Sequence, residues 1–401
     1  MRTTFTFHTA GQLLFGRAAV RQLPEQLARL KVARLFLVTD KHLEKAGILA
    51  TVREPLLAAG IAVETFDGGE PEPSLDLVEA VLDQARHFRP DGVLGLGGGS
   101  NMDLAKIAAA VLTHGGQVRD YLGEDKIPGP VMPLICVPTT SGTGSEVSAA
   151  SVLTDKAAGV KVGILSNYLR PRLALVDPEL TLTCPRKVTA DSGIDALTHA
   201  IEAFTAVDNG VFPLPEGERS TYQGRHPFGD MLAERSIALC GKYLVRACDA
   251  PQDYEAREGM ALAAVLGGMA FSNVGVAIVH ALEYPLGAVL HCSHGAGNGL
   301  LLPYVMRYNL PPRKREFARI AELLGANVAG LDETAAAEAA ITAVEKLRTA
   351  IGIPNRLREI GAKPEQLAGF AEKAFAIKRV IRVNPRVPTL EDFRTILETA
   401  Y

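Results

Sequence analysis

The sequence predicts an α/β N-terminal Rossmann-like parallel-sheet domain, residues 1–185, followed by an all-α C-terminal domain, residues 186–401. Before residue 185, short continuous Val/Leu/Ile runs bounded by turn residues alternate with helical periodicity. That is the pattern of strands buried on both faces of a parallel sheet. After it, strand signals vanish and long Ala/Leu/Glu-rich segments take over, as an all-helical domain requires. A chain of 401 residues is long enough for two domains of ordinary size, each with its own core.

In chain order, Phe5 to Leu14 reads as an edge hairpin and RLFLVTD (34–40) as the first buried strand. The helical stretch DLVEAVLDQARHF (76–88) leads to the strand DGVLGLGGGS (91–100), and DLAKIAAAVLTHG (103–115) is the helix after it. PLICVPTT (133–140) and LALVDP (173–178) are further strands. In the second half the spacing predicts helices over 188–206, 229–249, 253–272, 315–324, 332–350 and 364–376. VDNGVFPLPEGERSTYQGRHPF (207–228) is a long Gly/Pro-rich insertion, of a length that marks functional or mobile loops. VHALEYPLGAVLHCSHG reads as two histidines, His280 and His294, flanking a Gly/Pro-containing turn.

The composition, 22% charged with net charge −3, gives no reason to expect nucleic acid or an acidic membrane as partner. Five cysteines, odd in number and without a CxxC pair, fit reduced thiols in a cytoplasmic protein. MRTTFTFHTAG lacks the apolar core of a signal peptide, and no run of about 18 apolar residues suggests a membrane span.

Two glycine-rich turns follow strands. In GGGSNMDLAK (97–106), Gly98 and Gly99 let the backbone approach a pyrophosphate, and Ser100 stands where a helix N-terminus presents free N–H groups to anionic oxygen. PTTSGTGSE (138–146) supplies donors from Thr139, Thr140, Thr143 and Ser145. Two such turns at the carboxyl ends of strands in one sheet fit a dinucleotide crevice. Asp40, at the end of the first strand, is placed to accept from an adenosine ribose, and its charge favours NAD over NADP; the alternative is a loop cap.

Four side chains have the make-up of a metal site. Asp195 and His199 lie four apart in a helical stretch, on one face. With His280 and His294 they offer three imidazole nitrogens and a carboxylate oxygen, a set suited to Fe²⁺ or Zn²⁺ with a coordination position left open.

Taken together, GGGSNMDLAK, PTTSGTGSEV, DSGIDALTHAIEAF, GMAFSNVGVAIVHALEYPLGA and HGAGNGLLLPYVMRYN resemble the iron-containing (group III) alcohol dehydrogenases of the dehydroquinate-synthase-like fold. The resemblance runs from about residue 10 to residue 390. It implies a nucleotide-binding domain, a helical metal-binding domain and an active cleft between them. It implies NAD and a divalent metal, Fe²⁺ before Zn²⁺, with Asp195, His199, His280 and His294 as ligands. Cofactor contacts carry onto Asp40, Gly98, Gly99, Ser100, Thr139, Thr140, Ser148 and Lys161, with Asp103 of the first glycine motif counted beside them; the alternative for Lys161 is a solvated surface lysine. The implied reaction is hydride transfer between NAD⁺ and a small alcohol or hydroxy acid, giving the aldehyde or ketone. A homodimer is also implied, through the segment around Thr4 to Phe15.

One position departs from the family pattern HxxxHPLG: this chain has HALEYPLG, with Tyr284 in place of the second histidine. An ordinary tyrosine titrates near pH 10, so in place of a histidine relay either Tyr284 donates a hydrogen bond to substrate or nicotinamide, or the relay passes through cofactor hydroxyls and water; the alternative is that Tyr284 packs its ring under the cleft. Lys378, Arg379 and Arg382 in AIKRVIRVNPR offer a carboxylate a charge-assisted partner, or form a solvated face. Two other readings stand beside the dehydrogenase: a hydroxyacid-oxoacid transhydrogenase with tightly bound NAD, suggested by TYQGRHPFGD, and a non-catalytic nucleotide-binding scaffold.

Overall fold

The computed structural model describes residues 4–157 and 159–401. The first three residues of the stretch read for a signal peptide lie outside the described residues. The chain divides into two compact units, His8–Cys184 and Pro185–Tyr401, the latter joined by the N-terminal segment up to Phe7.

The first unit runs β1 (Leu13–Phe15), α1 (Leu23–Arg29), β2 (Arg34–Val38), α2 (Lys41–Lys45), α3 (Ile48–Ala58), β3 (Ala62–Phe66), α4 (Leu75–Phe88), β4 (Gly92–Gly97), α5 (Gly99–His114), β5 (Gly123–Glu124), β6 (Leu134–Pro138), β7 (Ala150–Asp155), β8 (Val160–Leu165) and β9 (Leu173–Val176). A parallel sheet of order β1-β9-β6-β4-β2-β3 forms its centre. Alternate side chains of a strand point to opposite faces, and in RLFLV both faces are apolar. Phe36 and Val38 enter a core with Val78 and Leu82 of α4 and Ala105 and Ala109 of α5. Leu35 and Leu37 enter the opposite core with Leu27 of α1 and Leu56 of α3. This double burial puts the ends of β4 and β6, and the glycine turns after them, side by side.

The expected hairpin over Phe5 to Leu14 does not form. Only Leu13–Phe15 is strand, and it pairs in parallel with β9. The preceding segment turns elsewhere: the side chain of Gln223 accepts from the Thr6 N–H at 2.8 Å and donates to the Thr6 carbonyl at 2.8 Å. The sheet β5-β8-β7 has no counterpart among the predicted strands.

The helical unit contains α6 (Arg186–Thr205), α7 (Pro227–Asp249), α8 (Tyr254–Val274), α9 (Ile278–Leu290), α10 (His294–Asn309), α11 (Lys314–Leu323), α12 (Glu333–Ile351), α13 (Leu367–Phe375), α14 (Lys378–Ile381) and α15 (Leu390–Ala400). Buried from Thr189 to Thr205 except at Ser192, α6 packs against α7, α8 and α10. The turn expected between His280 and His294 is mostly helix: α9 continues through Pro285 to Leu290. A proline inside a helix costs about 3 kcal/mol. Full burial of Ile278, Leu282 and Leu286, each contributing roughly 2 kcal/mol, offsets it. The reversal is confined to residues 291–293, where His291 adopts a left-handed conformation with φ 53°. Among the described residues no single helix is long and apolar enough to cross a membrane, and the apolar pair α8 and α9 is bent by 105°.

Candidate active site

Three helices of the second unit each bring one donor to a common point. On α6, Asp195, His199 and Glu202 stand at i, i+4 and i+7, one above the other on a single face. On α9, His280, Glu283 and Tyr284 occupy adjoining positions one turn apart, and His294 opens α10. The approach of α10 to α6 depends on glycine. A Cβ on Gly295 would lie 1.9 Å from the carbonyl oxygen of Asp191, and one on Gly299 would lie 2.7 Å from the Ile194 side chain. These two positions, four apart, face α6 and let the backbones touch, which sets His294 beside Asp195.

Asp195 Oδ1 lies 3.9 Å from His280 Nε2 and 3.8 Å from His294 Nε2, and the donor atoms of the three residues all fall within 4.8 Å of one another. His199 is adjacent but does not converge with them. Its Nδ1 is 3.8 Å from the other oxygen of Asp195, and its ring stacks on Phe271 at 4.2 Å and on His280 at 4.8 Å. Burial pushes the Asp195 carboxyl upward, but His199, His294 and His280, with the hydrogen bond from Asn298, outweigh it and hold the group below its ordinary value.

The His280 and His294 imidazoles are each oriented by a carboxylate from another helix. Glu202 of α6 bonds His280 Nδ1 at 2.6 Å and accepts from the Val279 N–H at 2.8 Å, so it also satisfies a free donor at the start of α9. Glu283 of α9 bonds His294 Nδ1 at 2.5 Å. With Nδ1 committed to a carboxylate, each ring turns its Nε2 lone pair toward Asp195, the second-layer arrangement common to metal-binding histidines. At the common point the structure has the Asn298 amide nitrogen, 2.8 Å from Asp195 Oδ1, 3.2 Å from His280 Nε2 and 3.1 Å from His294 Nε2. Two N–H groups serve three acceptors there, and the buried Asn298 oxygen has no hydrogen-bond partner. Three converging acceptors without matching positive charge are what a divalent cation stabilises.

In the first unit the two glycine turns meet. A Cβ on Gly99 would lie 2.9 Å from Thr143 Cγ2, and one on Gly98 would lie 3.6 Å from Thr140 Oγ1. Gly98, Gly99, Ser100, Thr140 and Thr143 are all partly exposed around the N-terminus of α5. Thr139, Ser145 and Ser148 are buried, and with Asp103 they support the turns from beneath. The fully buried Lys106 donates to Ser145 Oγ at 2.8 Å, Ser148 Oγ at 3.1 Å and the Ala150 carbonyl at 2.7 Å. Ser145 Oγ in turn donates to Asp103 at 2.7 Å. Asp40 is the cap of α2, accepting from the His42 and Leu43 N–H groups, while its second oxygen accepts from Asn101 Nδ2 at 2.8 Å. Lys161, on β8, pairs with Glu72 at 2.7 Å.

Glu146, under the second turn, gives a pH-dependent stability. Burial pushes its carboxyl from 4.5 up to about 7, so the folded chain binds this proton more tightly than the unfolded one. The stabilising contribution is complete below the unfolded value and is lost as pH rises through about 7. Glu146→Gln is expected to remove up to roughly 3 kcal/mol of the decline in unfolding free energy between acidic and mildly alkaline pH. Urea unfolding at either end of that range measures it; an unchanged slope contradicts it.

The pattern described as iron-containing alcohol dehydrogenase matches residues 10–178, and that described as the C-terminal part of the Fe-containing alcohol dehydrogenase family matches residues 218–401. The NAD-dependent methanol dehydrogenase of Bacillus methanolicus is 36% identical over 387 residues, covering 96% of this chain and 97% of that protein. The chain belongs to the iron-containing alcohol dehydrogenase family. It is therefore an oxidoreductase. Among further relatives, the 1,3-propanediol dehydrogenase of Klebsiella pneumoniae is 36% identical over 96% of both chains. A crystal structure of 1,3-propanediol oxidoreductase superposes with TM-score 0.93 at 36% identity, covering 99% of this chain and 100% of that one.

For an iron-containing alcohol dehydrogenase the donors fit the metal. The two Asp195–histidine separations, 3.8–3.9 Å, need close by only some tenths of an ångström to match the roughly 3.0–3.5 Å between neighbouring ligands about 2.1 Å from an ion, and the two imidazoles, within 4.8 Å of each other, close by turning their Nε2 atoms further toward the common point. Sequence reasoning missed Glu202, Glu283 and Asn298 in this alcohol dehydrogenase, and Asn101 and Lys106 in its glycine turns. A signal for the first two was present: HAIE (199–202) and HALE (280–283) repeat a His-x-x-Glu spacing.

Proposed function

We propose that this alcohol dehydrogenase interconverts small neutral primary alcohols and their aldehydes, with NAD as hydride carrier and Fe²⁺ as its metal. The observation that carries the proposal is the convergence of Asp195, His280 and His294 in a member of this family, and NAD follows the methanol dehydrogenase relative. His199 completes the metal's ligand set by a small rotation of its ring. Gly98, Gly99, Ser100, Thr140 and Thr143 hold the dinucleotide phosphates at the N-terminus of α5, and Asp40 accepts from the adenosine ribose. Asp103, Thr139, Ser145 and Ser148 fix the turns, and Lys161 contacts a cofactor ribose.

When bound, the metal supplies Lewis acidity at the alcohol oxygen and NAD supplies the hydride acceptor. The chain's own residues do the rest. Asp195 brings a buried carboxylate that lowers the cost of a cation at this point. Glu202 and Glu283 keep Nδ1 of His280 and His294 protonated, so that both Nε2 atoms remain electron-pair donors. The buried Tyr284 walls the site, its ring 6.5 Å from that of His280 and 6.1 Å from that of His294, and its hydroxyl donates to the substrate oxygen. Tyr284→Phe is expected to lower kcat about 10-fold or more and to alter its pH profile; unchanged turnover and profile exclude that role.

Two of the three side chains in the basic run near the C-terminus support the neutral substrate class. Arg382 is bonded to Glu218 at 2.9 Å, and the Lys378 ammonium lies 3.4 Å from the centroid of the Phe375 ring. Neither side chain is held in reserve for a substrate carboxylate. Fe²⁺-reconstituted protein assayed with 1-propanol, 1,3-propanediol and 4-hydroxybutyrate, with and without added NAD⁺, tests the reading. NAD⁺-dependent turnover that favours the neutral alcohols supports it. Preference for the hydroxy acid overturns the substrate class, and hydride exchange between a hydroxy acid and an oxo acid without added NAD⁺ favours a transhydrogenase. The protein acts in the cytoplasm, in keeping with five cysteines of which none is in a disulfide, and works as a homodimer.

A further inference from the structure

From the geometry around α10 we infer that Glu283 is the positioning residue that makes His294 a competent ligand, and that it governs how firmly the site retains its metal. The inference rests on the metal reading above and concerns the least constrained of the three donors. Asp195 and His280 are held within helices, with side chains 2% and 3% exposed, whereas the His294 side chain is 32% exposed at the first position of α10. Both rings lie beside Tyr284 and against each other, but His280 is additionally fixed by stacking on His199.

For His294, the bond from Nδ1 to the fully buried Glu283 is the anchor that points Nε2 inward. The sequence makes room for this bond. A Cβ on Gly297 would lie 2.9 Å from Glu283 Cγ, so glycine at that position lets the carboxylate pass beside α10. Loss of such a carboxylate partner typically weakens metal affinity 10–100-fold.

Wild type, Glu283→Gln, Glu202→Gln and Gly297→Ala, each loaded with Fe²⁺ without oxygen, are challenged with graded chelator, and retained iron is measured. In parallel, the metal-free proteins are compared by thermal unfolding and by the imidazole N–H proton resonance of His294. Glu283→Gln is expected to release iron at roughly 10-fold lower chelator or below, with the His294 resonance shifted and the thermal midpoint of the metal-free protein little changed. Gly297→Ala, which displaces Glu283 without removing it, is expected to move iron retention the same way, and Glu202→Gln to act more weakly. Iron retention by Glu283→Gln within 2-fold of wild type overturns the inference, as does a loss fully accounted for by unfolding of the metal-free variant. A wild-type protein that retains no Fe²⁺ overturns the metal reading itself, a result distinguishable from either.

Discussion

Asp195→Asn is expected to lose the divalent metal and to lower alcohol oxidation by about 1,000-fold or more, with the fold intact. Removal of a Lewis acid from a hydride-transfer site forfeits several kcal/mol of charge stabilisation, and each 1.36 kcal/mol is about tenfold in rate. The substitution is nearly isosteric and Asp195 itself is enclosed, only 2% exposed, so shape is preserved while charge is lost. The three imidazoles that hold the carboxyl ionised are then left around a neutral amide. Metal content by elemental analysis and NADH formation from a primary alcohol are the two readouts. Full activity in a metal-free Asp195→Asn protein contradicts this expectation.

Gly295→Ala is expected to damage the same site without touching a donor. Its Cβ would fall 1.9 Å from the Asp191 carbonyl oxygen and 3.1 Å from Asp195 Cβ. The first obstacle is backbone and cannot swing aside, so α10 must back away from α6. Overpacking of this kind costs about 3 kcal/mol at the upper end of its usual range, and a shift of about 1 Å at the donors is enough to reduce turnover roughly 100-fold. Urea unfolding and steady-state kinetics measure the two effects. A variant with wild-type stability and rate would mean that the helices are not held as close as the structure has them.

The sheet was legible in the sequence because its central strands are buried on both faces. RLFLV, GVLGLG, LICVP and LALV leave no polar alternation to confuse them with anything else. The strand AVETF is a half-exposed edge, and the hairpin of Ala150–Asp155 with Val160–Leu165 lacks that continuous apolar signature. The stretch between His280 and His294 read as a turn, and residues 296–309 received no element, for a different reason. Pro285, Pro303 and the glycines at 287, 295, 297 and 299 are turn formers by local rule, yet here they lie within helices. Gly295, Gly297 and Gly299 are explained by what touches them: two admit α6 and one admits Glu283.

The candidate ligands were legible by residue type and by resemblance, whereas their supports were not. Glu202 and Glu283 each sit three residues after a histidine on their own helix, yet each bonds a histidine of a different helix. Only the tertiary path α6 to α9 to α10 reveals that crossing. Asp40 illustrates the converse. The sequence left ribose contact and helix cap as alternatives, and the structure has it capping α2 with one oxygen while holding Asn101 with the other.

The central claim, an NAD-dependent alcohol dehydrogenase working through a metal at Asp195, His280 and His294, is tested most directly by titrating metal-free protein with Fe²⁺ in the absence of oxygen. NADH formation from a small primary alcohol is followed throughout. The rate is predicted to rise from near zero and to level off at about one Fe²⁺ per chain, as expected for a single catalytic ion. NADH formation that is already maximal before iron is added, or absent at every loading of iron, would contradict it.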